Sequence, residues 1–268
     1  MRSVISWELR RRRTALLWWT IGSVAMTVMI VALYPSIRDQ AAQMNEVINQ
    51  LPKGLRELKA GTAGSVNVGD PLQFLNSQLF YATLPLLWII LAITRGGSIL
   101  GRDEQTKTLE LLLARPISRT RLLVSKAIAL AIELGLVGGA TLLALLILAP
   151  QFDLKVGSSN LVMTTLYTAL FCLSFGFVAF SLQAASSLTR RGATAIAVVL
   201  GFGGYIIASL SGLTDWLDKP VKAFPYHYFT PLDPLNGHTP RGLLVYLALV
   251  FGVGTVVAVF GFRRRDIE

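Results

Sequence analysis

The amino-acid sequence predicts an all-α polytopic membrane protein with six transmembrane helices. Three observations support this fold class: an apolar composition, long apolar runs, and an excess of basic residues on one side of those runs. Apolar residue types make up 53% of the 268 residues, and the mean hydropathy is +0.57. Because a soluble domain of this size is less apolar, a membrane protein is expected.

Six apolar runs are each long enough to cross a bilayer as a helix, which needs about 20 residues. We predict one transmembrane domain covering residues 1–268, with spans at 15–34, 79–100, 122–149, 160–183, 192–213 and 242–262. The single cysteine, Cys172, falls inside the fourth span. A disulfide within the chain and a metal or redox site built on cysteines are therefore excluded.

The formal charge of +10 is distributed unevenly along the chain. If the N-terminus lies inside, 17 of the 25 basic residues lie at the inner ends of the spans, whereas the eight basic residues of the outer segments are balanced by eight acids. Basic residues accumulate on the cytoplasmic side of membrane proteins, so both termini are predicted to be cytoplasmic. This topology explains the charge, and we expect no nucleic-acid partner.

The first 14 residues combine apolar positions with four consecutive arginines, Arg10 to Arg13. This pattern predicts a short interfacial helix leading into the first span. A cleaved signal peptide is the alternative, but the apolar run that follows is about 20 residues long and lacks a small-residue cleavage site.

The outer segment after the first span has apolar residues at helical spacing between residues 36 and 58, followed by glycines and a proline. One or two amphipathic helices are predicted there. They suit a lid on the outer ends of the spans, and a substrate receptor is the alternative.

Two spans contain residues that are unusual in lipid. Pro85 predicts a kink in the second span, and Arg95 near its end is expected to extend to the inner surface. Glu133 in the third span lies seven residues after Lys126, about 10 Å from the inner boundary. A carboxylate in the membrane is a functional candidate, and the alternative is that Glu133 only orients helices.

The fifth span is rich in glycine and serine, which favours close helix packing either within one subunit or in a dimer. The last outer segment, residues 214–240, contains five aromatic residues that are typical of the interfacial belt. His227 and His238 lack the spacing of a metal site, and no metal site is predicted.

A charged segment, residues 102–126, separates the second and third spans. A helix here would place Leu109, Leu112 and Leu113 on one face and Glu110 on another, so it would lie along the membrane surface. Pro116 ends that helix, and Ser118 is placed to cap the next one.

Motifs of several enzyme classes are absent from the sequence. No phosphate-binding loop and no His-Glu-x-x-His motif occurs, and no histidine lies within a span. Ser209-Leu-Ser211-Gly212 has only a weak similarity to a rhomboid protease motif, without its first glycine or a histidine partner. The chain is therefore not expected to be an enzyme.

The stretch from Thr108 to Arg119, followed by Lys126, resembles the signature of the membrane (permease) subunits of type-2 ABC exporters. The closing Phe262-Arg-Arg-Arg-Asp266 is similar to the end of such chains, and the six-span layout covers the whole length. The resemblance implies a cytoplasmic coupling helix that passes the force of a separate ABC ATPase to the spans. By this resemblance the coupling role falls on Thr108, Leu109, Glu110, Leu112, Leu113, Arg115, Pro116, Arg119 and Lys126.

The resemblance also implies partners and a location. Two cytoplasmic ATPase subunits would bind ATP and Mg²⁺, so this chain itself would hold no cofactor. A second permease copy or a sister permease would complete the transporter, surrounded by membrane lipid in the cell membrane of a prokaryote. The apolar spans favour an amphipathic or hydrophobic cargo such as a lipid, peptide or antibiotic.

A six-span scaffold or assembly protein without its own transport cycle is the alternative function. It would have no dedicated ATPase partner, so the identity of the adjacent gene distinguishes the two hypotheses.

Overall fold

The computed structural model of the protein describes residues 2–51, 67–101, 118–185, 190–211, 215–217 and 219–264. Within these ranges the chain forms helices joined by turns, without strands. Six helical stretches are long and apolar enough to cross a membrane, as predicted; they are Val4–Asp39, Pro71–Ile99, Arg119–Gln151, Ser158–Ala185, Arg191–Ser211 and Arg241–Arg264, called spans 1 to 6 here.

Span 1 belongs to one uninterrupted helix, Arg2–Asp39, which is much longer than the predicted 15–34. No glycine or proline occurs between Arg2 and Gly22, so nothing breaks the helix where a separate interfacial segment was expected. Whether its first turns lie at the membrane surface stays a prediction. At the other end the Tyr34 hydroxyl donates to the Gly69 carbonyl at 2.9 Å, which attaches the helix to the outer segment.

The outer segment contains a second helix, Ala41–Asn49, which confirms the amphipathic prediction over the described part of that segment. Its apolar face buries Ile48 against Val68, beside Ile37 and Met44. The remainder of the predicted range, residues 52–58, lies outside the described residues.

Span 2 is built from three pieces: an α-helix, Pro71–Leu75; a π-helical turn, Asn76–Phe80; and an α-helix, Thr83–Ile99. Pro85 is the third residue of the last piece. An amide hydrogen is not needed in the first turn of a helix, so proline is accommodated there. The helix is irregular before Pro85, in the π-helical turn and at Tyr81 and Ala82. The kink expected at Pro85 stays a prediction.

Span 4 is central and packs most extensively against spans 2 and 6. Its backbone touches that of span 2 at two glycines. A methyl group placed on Gly96 would lie 1.9 Å from the Gly176 carbonyl oxygen, and one placed on Gly176 would lie 2.5 Å from the Ala92 carbonyl oxygen. Only glycine permits this approach.

Span 5 is formed by the helix Arg190–Val198, a π-helical turn at Val199–Gly203, and the helix Gly204–Ser211, and it begins at the second residue of the first helix. Gly201 faces Ile89 and Phe175, and Gly204 faces Phe224, so these two glycines serve packing within the chain. A methyl group on Gly203 would meet only Val199 of its own span.

The last outer segment folds back onto the bundle as short 3-10 helices, Pro220–Ala223 and Pro225–Tyr228, and one α-helical turn, Leu232–Leu235. The interfacial-belt expectation is wrong for Tyr226 and Phe229, which are each only 3% exposed. The Phe229 ring stacks on the Phe171 ring of span 4, with 4.1 Å between the ring centroids. The Tyr226 ring contacts the same Phe171 ring edge-on, with 5.0 Å between the centroids. Burying these rings against span 4 removes more apolar surface from water than an interfacial position would.

Tyr226 is buried with a hydroxyl that has no hydrogen-bond partner among the described residues. Burial raises the pKa of Tyr226 well above its usual value, because the phenolate would be poorly solvated there. Tyr246 contacts the same Phe171 ring, but its hydroxyl lies 3.0 Å from that of Ser174.

We predict that Gly96→Ala lowers the stability of the purified protein by about 2 kcal/mol, because a helix backbone must move to admit the methyl group. Gly135→Ala and Gly139→Ala are matched controls, since nothing lies within 4 Å of a methyl group at either position. They should be neutral or slightly stabilising through helix propensity. Thermal unfolding in detergent measures all three, and equal melting temperatures would contradict the close crossing.

We predict opposite effects for two tyrosine hydroxyls. Tyr226→Phe removes an unsatisfied buried group and should raise stability by up to about 1 kcal/mol, whereas Tyr246→Phe breaks a hydrogen bond and should lower it by about 1 kcal/mol. The same unfolding assay compares them. A loss of stability in Tyr226→Phe would show that its hydroxyl has a partner.

Candidate functional site

The predicted coupling residues divide into two groups. Seven of them lie outside the described residues: Thr108, Leu109, Glu110, Leu112, Leu113, Arg115 and Pro116. The other two, Arg119 and Lys126, lie in the first turns of span 3. Ser118 caps this helix as predicted, with its hydroxyl oxygen accepting from the Arg121 amide at 3.3 Å.

Lys126 is buried, although its sequence position suggested a residue at the inner surface. Its side chain is 0% exposed. The ammonium group forms an ion pair with Glu8 of span 1 and donates to the Ile99 carbonyl of span 2 at 3.1 Å. Lys126 therefore joins three helices at one point.

Glu133 has a charged partner, Arg95 of span 2. The Nε and Nη2 atoms of Arg95 donate to the two carboxylate oxygens of Glu133, which is the bidentate arrangement that suits a guanidinium group. The expectation that Arg95 extends to the surface is wrong, because its side chain is only 7% exposed. Pairing two charges in a low-dielectric interior is favoured over leaving one carboxylate unpaired.

The two ion pairs form a single ionic cluster consisting of Glu8, Arg95, Lys126 and Glu133. An ionic contact between Arg95 Nη2 and Glu8 Oε2, 3.8 Å apart, links the two pairs. Charges alternate along the order Lys126, Glu8, Arg95, Glu133, and their formal sum is zero. The four side chains are at most 7% exposed, so each charge depends on its neighbours rather than on water.

Glu8 was missed by the sequence reasoning as a candidate residue. One signal was available, because Glu8 is the only acidic residue before Asp39 and is surrounded by arginines. The signal could not identify a partner, since Lys126 is 118 positions away along the chain.

Trp7 lies beside the ionic cluster. The Lys126 ammonium group is 5.6 Å from the centre of its ring, and the Arg11 guanidinium carbon is 4.7 Å from it. Both distances are in the range of cation–π attraction. The indole thus covers Lys126 on one side while it is itself 38% exposed.

A cavity of about 110 Å³ adjoins the Arg95–Glu133 pair. Its polar wall includes Thr94, Ser98 and Arg12, and span 1 supplies the apolar wall with Leu16 and Trp19. The cavity is polar and large enough to hold several water molecules.

A second polar layer links the same three spans deeper in the membrane. The indole nitrogen of Trp88 in span 2 donates to the Ser23 hydroxyl of span 1 at 2.9 Å, and that hydroxyl lies 2.9 Å from the hydroxyl of Thr141 in span 3. By helical rise, Thr141 is about 12 Å beyond Glu133. Spans 1, 2 and 3 are therefore tied together at two depths.

The ionic cluster lies beside both ends of the charged segment. Arg95 and Ile99 end the helix that precedes residues 102–117, and Lys126 lies near the start of the helix that follows them. Both helices are joined by buried ionic contacts to Glu8.

The fold defines a polytopic α-helical membrane protein whose first three spans are joined by a buried ionic cluster. Residues 2–215 match the family model described as ABC-2 family transporter protein. This match covers most of the chain, and the protein belongs to that family: it is an ABC-type permease. All four cluster residues lie within the matched range. No individually curated protein matches the chain.

We predict that Glu133→Leu destabilises the protein by about 3 kcal/mol, because it leaves the Arg95 charge buried without its carboxylate. The double variant Arg95→Met/Glu133→Leu removes both charges and should recover most of that loss. Thermal unfolding in detergent compares the two variants with the wild type. If the double variant is less stable than the single one, the pairing is not the source of the effect.

Proposed function

We propose that this chain is the permease subunit of an ABC exporter and that a separate cytoplasmic ATPase drives it. Two ATPase subunits would bind ATP and Mg²⁺, and two permease chains, either identical or sister chains, would form the transport unit. The chain itself would carry no catalytic residue. Membership of the ABC-2 transporter family supports an ATPase partner in general terms.

The single observation that carries the coupling proposal is the ionic cluster at both ends of the charged segment. Ion pairs in a low-dielectric interior are held more strongly than pairs in water, so the ends of the segment resist separation. Closure of the ATPase dimer would push the segment at residues 102–117. Because its ends are fixed to each other and to Glu8, the push would displace spans 1 to 3 as one body.

The coupling residues take two distinct roles in this mechanism. Glu110 and Arg115 are proposed to pair with charges on the ATPase, and Leu109, Leu112 and Leu113 to pack into a groove of its surface. Lys126 is buried, so we propose that it positions the segment instead of touching the ATPase. Arg119, which is half-buried, lies between these two regions.

The proposed topology places both termini and the ionic cluster on the cytoplasmic side. It is supported by the basic residues at that end, which include Arg10 to Arg13, Arg121, Arg263 and Arg264. The location would be the cell membrane of a prokaryote. Export is the direction proposed, on the resemblance of residues 108–126 to type-2 exporters.

An amphipathic or hydrophobic cargo is proposed as the substrate class. The four charges of the ionic cluster neutralise one another. The cluster therefore offers no net charge to an ionic substrate, and the six spans are predominantly apolar. A lipid, a peptide or a hydrophobic antibiotic fits this description.

The test uses the full chain co-expressed with the ATPase encoded beside it. We predict that Glu110→Ala/Arg115→Ala weakens ATPase co-purification by roughly ten-fold or more, since about 1.4 kcal/mol of lost binding gives a factor of ten.

Glu8→Met/Lys126→Met removes one complete ion pair of the cluster. This double variant should still bind the ATPase. The conformational change is measured as the ATP-driven change in distance between two spin labels, one on each permease copy, attached at Val47→Cys in a Cys172→Ser background. The double variant should abolish that distance change.

A matched control is the exposed ion pair of Arg38 and Asp153. It joins the ends of spans 1 and 3 that lie far from the ionic cluster, with 2.8 Å between Arg38 Nη1 and Asp153 Oδ2. Arg38→Ala/Asp153→Ala should leave both the binding and the distance change intact. Unchanged binding and transport in Glu110→Ala/Arg115→Ala would contradict the coupling assignment. The absence of any ATPase partner would favour the six-span scaffold instead.

A further inference from the structure

An apolar groove of about 290 Å³ lies between spans 3, 4 and 6. Nine of its ten lining residues are apolar, and the tenth, Thr255, donates its hydroxyl hydrogen to the Phe251 carbonyl of its own helix at 2.6 Å. The groove thus offers almost no polar group to a ligand.

The groove has the length of one half of a bilayer. Its wall on span 3 runs from Leu123 to Ala131, and its wall on span 6 from Phe251 to Val259. Eight residues of helix rise about 12 Å, and one leaflet contributes about 15 Å of the hydrocarbon core. Val124 and Ile128 are 37% and 38% exposed, so the groove opens toward the surrounding lipid.

Two arginines lie at the end of the groove nearest the membrane surface. Arg121 precedes Val124 by three residues, and Arg263 follows Val259 by four, so each continues a groove-lining helix face by one turn. Both are exposed. Arg263 also donates to the Thr120 hydroxyl at 3.2 and 3.3 Å, which bridges spans 3 and 6 across the mouth of the groove.

The positive charge at this mouth has no acidic counterpart nearby in the described ranges. The acids described at this end of the bundle are Glu8 and Glu133, and both are engaged inside the ionic cluster. An anionic head at the two arginines and an apolar chain about 12 Å long would complement both features of the groove.

We propose that the groove is a binding site for an anionic glycerophospholipid of the leaflet at the arginine-rich end. One acyl chain would lie along spans 3, 4 and 6, and the phosphate would lie between Arg121 and Arg263. Since lipid already surrounds the protein, the acyl chain gains only packing contacts, and selectivity comes from the arginines. An occupied site would brace span 3, which follows the charged segment, against span 6.

The test is native mass spectrometry of the full chain in detergent with dioleoylphosphatidylglycerol or dioleoylphosphatidylcholine. We predict that the anionic lipid binds about 25-fold more tightly, about five-fold for each arginine. Arg121→Gln/Arg263→Gln should abolish this preference. Arg241→Gln, an exposed arginine at the opposite end of span 6, is the matched control and should keep it.

A second variant tests the groove and leaves the arginines in place. Ala127→Phe fills the groove and should lower the binding of the anionic lipid by about ten-fold or more, whereas Ala25→Phe on the exposed face of span 1 should not. Equal binding of the two lipids to the wild type, or unchanged binding to Ala127→Phe, would overturn the proposal. Loss of self-association in Ala127→Phe would also overturn it, because the groove would then be a subunit interface.

Discussion

The neutralisation of buried charge at one end of the bundle is the constraint on which the rest of this structure depends. Glu8, Arg95, Lys126 and Glu133 come from three helices, and none of these side chains has enough water around it to carry its charge alone. The three helices must therefore meet with their charges in alternating order. Their relative positions are fixed by electrostatics there, and by apolar packing over the rest of their length.

Two regions of the bundle are held by different forces. At the arginine-rich end, the ionic cluster resists separation of its partners because each would be left with an uncompensated charge. On the other side of the bundle, Tyr226 and Phe229 of the last outer segment pack against Phe171, midway along span 4, as an aromatic cluster. These contacts are stabilised by buried apolar surface and by the preferred geometry of the rings, not by charge.

Span 4 connects these two regions. Its backbone touches span 2 where Gly176 meets Ala92 and Gly96, one residue from Arg95 of the ionic cluster, and its Phe171 stacks beneath the outer segment. Span 4 is therefore in direct backbone contact with span 2 beside the ionic cluster and in ring contact with the last outer segment.

The sequence by itself determined the fold class, the number of spans, the Ser118 cap and the amphipathic outer helix, because hydrophobic length and local capping depend only on neighbouring residues. It also singled out Glu133, whose charge is anomalous within an apolar run. Only the tertiary structure decided that Arg95 pairs with Glu133, that Lys126 pairs with Glu8, and that Gly96 touches Gly176. Each of these is a contact between residues on different helices, and helical periodicity carries no information about which helices become neighbours.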